Sequence, residues 1–181
     1  MEIQKTTIDG LLILVPAVFK DDRGVFFESY NRQLFASCVG DAVFVQDNQS
    51  ISHKGVIRGL HLQVPPFAQG KLVRVVHGAV LDVAVDLRKT SPTFGKHFSI
   101  KLDALNNLSF WIPEGFAHGF VALENNTIFQ YKVTNYYNKD SETSIRWNDP
   151  ALNIQWETES PIVSEKDKQS PLFKDFVSPF D

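Results

Sequence analysis

Four side chains of this sequence are chemically able residues set among apolar neighbours, where a purely structural strand has no use for them. His61 lies in Arg58-Gly59-Leu60-His61-Leu62-Gln63, flanked by two leucines. Lys71 opens an alternating stretch after Pro65-Pro66. His118 lies in Pro113-Glu114-Gly115-Phe116-Ala117-His118-Gly119-Phe120, and Tyr131 follows Phe129 at strand spacing. An imidazole with a pKa near ~6.5 is partly neutral at pH 7 and can remove a proton. The carbanion that forms needs a donor at its oxygen, which Lys71 or His118 could supply. A phenol keeps its proton at neutral pH, its ordinary pKa being about 10, so Tyr131 could return a proton from another side. Taken singly, each has a plain reading: a strand histidine is more often a packed residue, and a strand tyrosine is usually packing with its hydroxyl at the rim.

A metal site is the first alternative. Cupin-type jelly rolls that hold metals use His-x-His, a nearby Glu and a later His. Here the residue two after His61 is Gln63, so only His61 and His118 are suitably placed, and no metal site is expected.

The elements that must position these residues are strands. From Lys71 to Leu87 the chain reads KLVRVVHGAVLDVAVDL, with Val73 and Val75 on one face and Leu72, Arg74 and Val76 on the other. His77-Gly78 marks a turn, after which Leu81, Val83, Val85 and Leu87 alternate with Val80, Asp82, Ala84 and Asp86. Phe98, Ile100 and Leu102 repeat the period, Asn106-Asn107 turns the chain, and Leu108, Phe110 and Ile112 continue it. A further strand spans about Thr127 to Val133. His61 and Gln63 share a face if their strand is regular. Helical signals are few: Asn31 to Val39 ended by Gly40, and a short one opened by Ser164, whose Ser164-x-x-Asp167 pattern reads as a capping box. Asp21-Asp22-Arg23-Gly24 reads as a polar turn. Short strands without intervening helices predict an all-β fold, best taken as a jelly-roll β-sandwich or barrel with a few short peripheral helices.

Bulk properties bound the function. The 181 residues suit one domain over residues 1–181 with a sizeable core. A net charge of −3 with both signs interspersed argues against an extended nucleic-acid surface, leaving room for a local basic pocket. The single Cys38 allows no intrachain disulfide. The apolar run Leu11–Phe19 is short and interrupted by Pro16, so neither a membrane span nor a signal peptide is expected and the cytoplasm is the default.

Seven segments in order carry a family resemblance: Asp22-Arg23-Gly24-Val25-Phe26-Phe27-Glu28, Gln46-Asp47-Asn48-Gln49-Ser50, Arg58 to Gln63, Gln69-Gly70-Lys71-Leu72-Val73-Arg74-Val75, Pro113 to Phe120, Tyr131-Lys132-Val133-Thr134, and Ser164-Glu165-Lys166-Asp167. From about Thr6 to Phe173 the chain resembles the dTDP-4-dehydrorhamnose 3,5-epimerases. The resemblance implies a cupin-type jelly roll, usually a homodimer, with no metal or organic cofactor. It implies a nucleotide-sugar substrate, dTDP-4-dehydro-6-deoxy-D-glucose, inverted at C3 and C5 on either side of the C4 ketone. By likeness His61 is the base, Asp167 its carboxylate partner and Tyr131 the acid. The nearby phenols Tyr136 and Tyr137 are competitors, and the Tyr-Lys-x-Thr context favours Tyr131. Lys71 and His118 match residues near the sugar and ketone. Arg23, Glu28, Gln46, Asp47, Asn48 and Arg58 match nucleotide and diphosphate contacts, and Glu142 and Lys166 fall at binding positions. The rivals are an epimerase of only C3 or only C5, a silent barrel that binds a nucleotide sugar, and a metal-dependent oxygenase that Gln63 disfavours.

Overall fold

The structure is a computed structural model describing residues 1–181. Its strands, in chain order, are β1 Glu2–Lys5, β2 Leu12–Val15, β3 Val18–Asp21, β4 Gly24–Phe27, β5 Gln46–Ser52, β6 Val56–Gln63, β7 Lys71–His77, β8 Ala79–Asp86, β9 His97–Asp103, β10 Ser109–Ile112, β11 Phe116–Ala122, β12 Thr127–Val133, β13 Glu142–Ser144 and β14 Ile162–Val163. Helix α1 spans Arg32–Val39 and α2 spans Glu165–Lys168. One sheet runs β1-β2-β10-β7-β12-β5, and the other runs β13-β6-β11-β8-β9 with β14 added in parallel to β6. The hairpin β3-β4 pairs only with itself. The two sheets face each other as a jelly-roll sandwich, as the alternating pattern predicts, and of the cupin type that the family resemblance implies.

Period two sorts the side chains into three layers. Val73, Val75, Val80, Ala84, Phe110, Phe120 and Phe129 fill the space between the sheets. The opposite faces of β6, β8 and β11 bury Ile57, Leu62, Leu81, Val83, Val85 and Val121 beneath the C-terminal segment, including Ile145, Leu152 and Trp156. Strand β8 is therefore buried on both faces. On the far face of the first sheet, Leu14, Leu72 and Trp111 pack against Phe35 of α1. Asn31 caps α1 by accepting from the Gln33 and Leu34 amides, and Gly40 ends it at φ +98°. The His77-Gly78 turn does not join a hairpin. It carries the chain from the first sheet into the second, since β7 and β8 lie in different sheets. No helix is long and apolar enough to cross a membrane.

Strand β6 is not regular. Its pairing with β11 matches His61 with His118 and Arg58 with Phe120, so one extra residue of β6 is accommodated between them. This is a β-bulge, and it reverses the alternation inside the strand. Gly59 makes it possible: its φ is +141°, and a Cβ there would sit 2.5 Å from the Gly119 Cα. In a regular strand Arg58 and His61 would point to opposite faces. With the bulge, both line the cavity between the sheets.

Candidate active site

That cavity has a volume of about 590 Å³. His61, His118 and Arg58 line it from the second sheet, and Lys71, Tyr131 and Asn48 from the first. A smaller, adjoining recess is shared by His61, Lys71, Tyr131, Gln46 and Glu142.

The His61 partner arrives from far along the chain. Strand β14 docks in parallel beside the start of β6, with Ile162 opposite Val56 and Val163 opposite Ile57. The chain then turns at Ser164, whose hydroxyl caps α2 by accepting from the Asp167 amide at 3.1 Å. That single turn brings Asp167 Oδ1 to 2.6 Å from His61 Nε2. Burial opposes the charge on Asp167, but hydrogen bonds from His61, Ser164 and the Gly59 amide outweigh it and hold the carboxyl below its ordinary range. An ionised carboxylate only accepts, so Nε2 carries the hydrogen and the lone pair of His61 falls on Nδ1. Ser144, opposite His61 on β13, bonds instead to Ser170 at 2.7 Å.

A second imidazole–carboxylate pair lies beside the first. His118 Nε2 is 3.0 Å from both oxygens of Asp82, a carboxylate with no solvent exposure. Burial lowers the His118 pKa against the pull of Asp82. Sequence reasoning placed Asp82 on a strand without assigning it to the site. The available signal was a pair of acidic residues, Asp82 and Asp86, on one face of an otherwise apolar strand. Asp86 has a different occupation, accepting from Arg88, Ser91 and Thr93.

Lys71 is buried and donates to the His61 carbonyl at 3.3 Å. Desolvation lowers its pKa to about 8, against the attraction of Asp82 and Glu142. Burial raises the Tyr131 pKa, with Arg58 acting the other way, so its phenol stays protonated well above neutrality. The neighbouring phenols are otherwise placed: Tyr137 donates to Glu142 at 3.1 Å and Tyr136 is exposed. Arg58 gives Nε to the Ser52 hydroxyl at 3.2 Å and makes no ion pair, leaving its outer guanidinium edge to the cavity. Lys166 closes on Glu142 at 2.5 Å, and both stand at the rim. No three His, Cys, Asp or Glu side chains converge as a metal cluster.

The fold thus gathers His61, Tyr131, Asp167, Gln46, Asn48, Arg58, Lys71, His118, Glu142 and Lys166 in one place. Three expected contacts lie elsewhere in the chain. Asp47 points to the opposite face of β5, where it pairs with Lys132 at 2.9 Å, because alternation sends Gln46 and Asn48 inward. Arg23 sits at the β3-β4 tip, 90% exposed and paired with Asp21, and Glu28 follows that hairpin on the surface.

A sandwich with a paired imidazole on one wall and an un-ionised phenol on the other defines a proton-transfer enzyme of the cupin-type jelly-roll class. Residues 5–175 match the family described as dTDP-4-dehydrorhamnose 3,5-epimerase. The dTDP-4-dehydrorhamnose 3,5-epimerase of Salmonella typhimurium is 55% identical over 174 residues, covering 95% of each chain. The crystal structure of the enzyme of that name from Elizabethkingia anophelis superposes with a TM-score of 0.93 at 49% identity, covering 97% of both chains. That of a dTDP-6-deoxy-D-glucose-3,5-epimerase from Legionella pneumophila, in complex with dTDP-4-keto-L-rhamnose, gives 0.93 at 46% identity, covering 97% of this chain and 94% of the other. The chain belongs to the dTDP-4-dehydrorhamnose 3,5-epimerase family.

Proposed function

We infer that this chain converts dTDP-4-dehydro-6-deoxy-D-glucose to dTDP-4-dehydro-L-rhamnose, as an isomerase supplying dTDP-L-rhamnose for polysaccharide synthesis. The observation that carries this reading is the placement of His61–Asp167 and Tyr131 on opposing sheets around one cavity. A sugar ring between the sheets meets a base on one side and an acid on the other, which is the geometry inversion requires. The C4 ketone acidifies the protons at both C3 and C5, so the same pair can serve both centres, once solvent has taken the proton from His61 and restored one to Tyr131 between the two inversions.

In this scheme His61 Nδ1 takes the proton while Asp167 steadies the imidazolium. The enolate oxygen is met by Lys71, still charged at pH 7 and free to donate. His118 is the weaker donor, because its Nε2 is committed to Asp82 and burial favours the neutral ring. Tyr131 returns a proton from the opposite wall. Arg58, Gln46 and Asn48 bind the diphosphate and nucleotide, with Glu142 and Lys166 at the rim. The reaction as written leaves the oxidation state of the sugar unchanged overall, so the scheme needs no redox cofactor.

Arg23 and Glu28 enter through a second copy. The β3-β4 hairpin is unpaired at its edges and exposes Phe19 at 64% and Phe26 at 72%. Aromatic rings so placed are costly in water and suit an interface. We therefore propose a homodimer in which the hairpin lies against the partner and presents Arg23 to its nucleotide, with Asp47 on a sheet face near that contact. A monomer by sedimentation at assay concentration would remove this part. The rest of the proposal is a single domain over residues 1–181, and the cytoplasm as compartment, which the free thiol of Cys38 suits.

The deciding experiment incubates the protein with the 4-keto sugar nucleotide in D2O. Deuterium is expected at both C3 and C5. Incorporation at one carbon alone would make the enzyme a mono-epimerase, and tight binding without incorporation would make it a binding protein.

A further inference from the structure

Gln63 speaks against a metal in this sequence, and the proton-transfer scheme gives it no task. It ends β6, two residues after His61. It is buried, at 5% exposure, and lines the recess that His61, Lys71 and Tyr131 share. A buried carboxamide is costly unless its hydrogen bonds are made. Those of Gln63 are made, and all go to backbone. Nε2 donates to the Phe67 carbonyl at 2.6 Å and to the Tyr136 carbonyl at 3.1 Å. Oε1 accepts from the Asn138 amide at 2.7 Å. Two donors and an acceptor on one planar group are what glutamine offers. An ionised glutamate has no donor, and a neutral histidine has one.

The segment held in this way joins β12 to β13 and is neither helix nor strand. Side chains supply its backbone hydrogen bonds. Gln69 donates to the Asn135 carbonyl at 2.7 Å, and Gln46 accepts from the Tyr137 amide at 3.2 Å. Gln63 takes the groups on either side, the Tyr136 carbonyl and the Asn138 amide. Tyr137 is thereby seated at the edge of the recess, with its phenol on Glu142. It is 57% exposed, so packing does little to hold the ring there. Strand β6 does not depend on this glutamine, since β11, β13 and β14 pair with it. His61 therefore keeps its place without it.

We propose that Gln63 is a positioning residue for substrate binding: it fastens the Tyr136 to Asn138 segment so that Tyr137 stands in place at the rim before the nucleotide sugar arrives. Ordering a stretch of irregular chain costs conformational entropy. Without the carboxamide that cost falls on binding, and the apparent affinity drops with the fraction of molecules whose segment is seated. The chemical step, which belongs to His61 and Tyr131, proceeds as before once the ligand is bound. The proposal rests on the epimerase reading for the identity of the ligand.

Gln63→Met keeps the length of the side chain and none of its hydrogen bonds. It should raise KM for deuterium exchange about tenfold, and Kd for dTDP in a calorimetric titration by the same factor, the scale of losing such bonds. Its kcat should stay within about threefold of wild type, because no group that moves a proton is removed. Tyr137→Ala, at an exposed position, should raise both constants comparably. Adding Gln63→Met to it should cost less than about twofold more, because the two residues act through one segment. The Asn138 amide should be protected from hydrogen exchange in the wild type and lose that protection in Gln63→Met. A lowered kcat with KM unchanged would overturn the proposal, as would unaltered dTDP affinity in either single variant, full addition of the two losses, an unprotected Asn138 amide in the wild type, or a Gln63→Met chain that does not fold. The two readings fail separately: absent deuterium exchange in wild type sinks the epimerase, while unaltered dTDP binding in Gln63→Met beside an active wild type sinks only the role of Gln63.

Discussion

His61 and His118 stand side by side on neighbouring strands, and each aims Nε2 at an aspartate. The chemistry of the two pairs is the same, yet their settings differ. The His61 side chain is one-third exposed, at 33%, and its partner Asp167 comes from a short helix near the C-terminus. His118 and Asp82 are 8% and 0% exposed, and both belong to central strands of one sheet. An imidazole can act as a base only where substrate can reach its lone pair and where the resulting charge is tolerated. Burial denies His118 the second condition, as its lowered pKa records. The pair at the rim is suited to move protons, and the pair in the core is suited to hold its place.

The largest effect should come from removing the outer imidazole. His61→Ala is expected to lower deuterium exchange at both carbons by about 10³-fold or more, since it deletes the proposed general base. His118→Gln should lower it by only about tenfold, the scale of one supporting hydrogen bond. Equal losses in the two variants would erase the distinction drawn between them.

Next is the bulge that brings the outer pair together. Gly59→Ala places a methyl group 2.5 Å from the Gly119 backbone in a conformation that suits glycine. Strain and overpacking of this kind cost about 2–3 kcal/mol, or roughly 6–10 °C in Tm for a chain of this size. Activity should fall further than stability, because the Gly59 amide also supports Asp167. A calorimetric scan beside the exchange assay separates the two.

The aspartates sharpen the comparison by failing in different ways. Asp167→Asn should cost about 10²-fold in rate, because it frees the His61 tautomer. Asp82→Asn should cost about 2–3 kcal/mol in urea denaturation, because it leaves a buried pair mismatched. The pH dependence of stability has the same structure. Burial holds the folded His118 pKa below its unfolded value, so the unfolded chain binds the extra proton and stability declines as pH falls below about 6.5. Asp167 has a depressed folded pKa, so its contribution is present above about pH 4 and disappears as pH falls through its folded value. His118→Gln should lessen the first decline, which His97 shares, and Asp167→Asn the second, which Asp86 and Glu142 share.

The smallest predicted effect is the alkaline limb. With the Lys71 pKa at about 8, the proposed donor to the enolate is lost as pH rises through that value. Rate in the wild type should fall above about pH 8, and Lys71→Arg, whose charge persists, should move that limb upward. A limb that does not move would assign it to another group.

Much of the scaffold was legible because its signals are local. Alternation in β7, β8 and β12, the Asn31 cap, the Gly40 stop and the Ser164 cap on Asp167 each depend on residues a few positions apart. Motif likeness then named His61, Tyr131 and Asp167 together. The phase of β6 was not legible: regular alternation puts Arg58 and His61 on opposite faces, and only pairing with β11 reveals the extra residue between them. Asp47 shows the converse, since its motif marks a binding segment while strand period turns its side chain away. Asp82 looks ordinary in the sequence, because burial and pairing are properties of surroundings and not of residue type.

Residue types by themselves determined the possible chemistry: an imidazole to take a proton, a phenol to return it, a lysine and an arginine for oxygen and phosphate. They also determined the strands, since period two needs no distant information. Which imidazole is open to substrate was decided only by tertiary structure. His61 gains its carboxylate from 106 residues away, while His118 is enclosed by the strands beside it. Solvent exposure and hydrogen-bond geometry arise from the packing of distant segments, and no local pattern carries them.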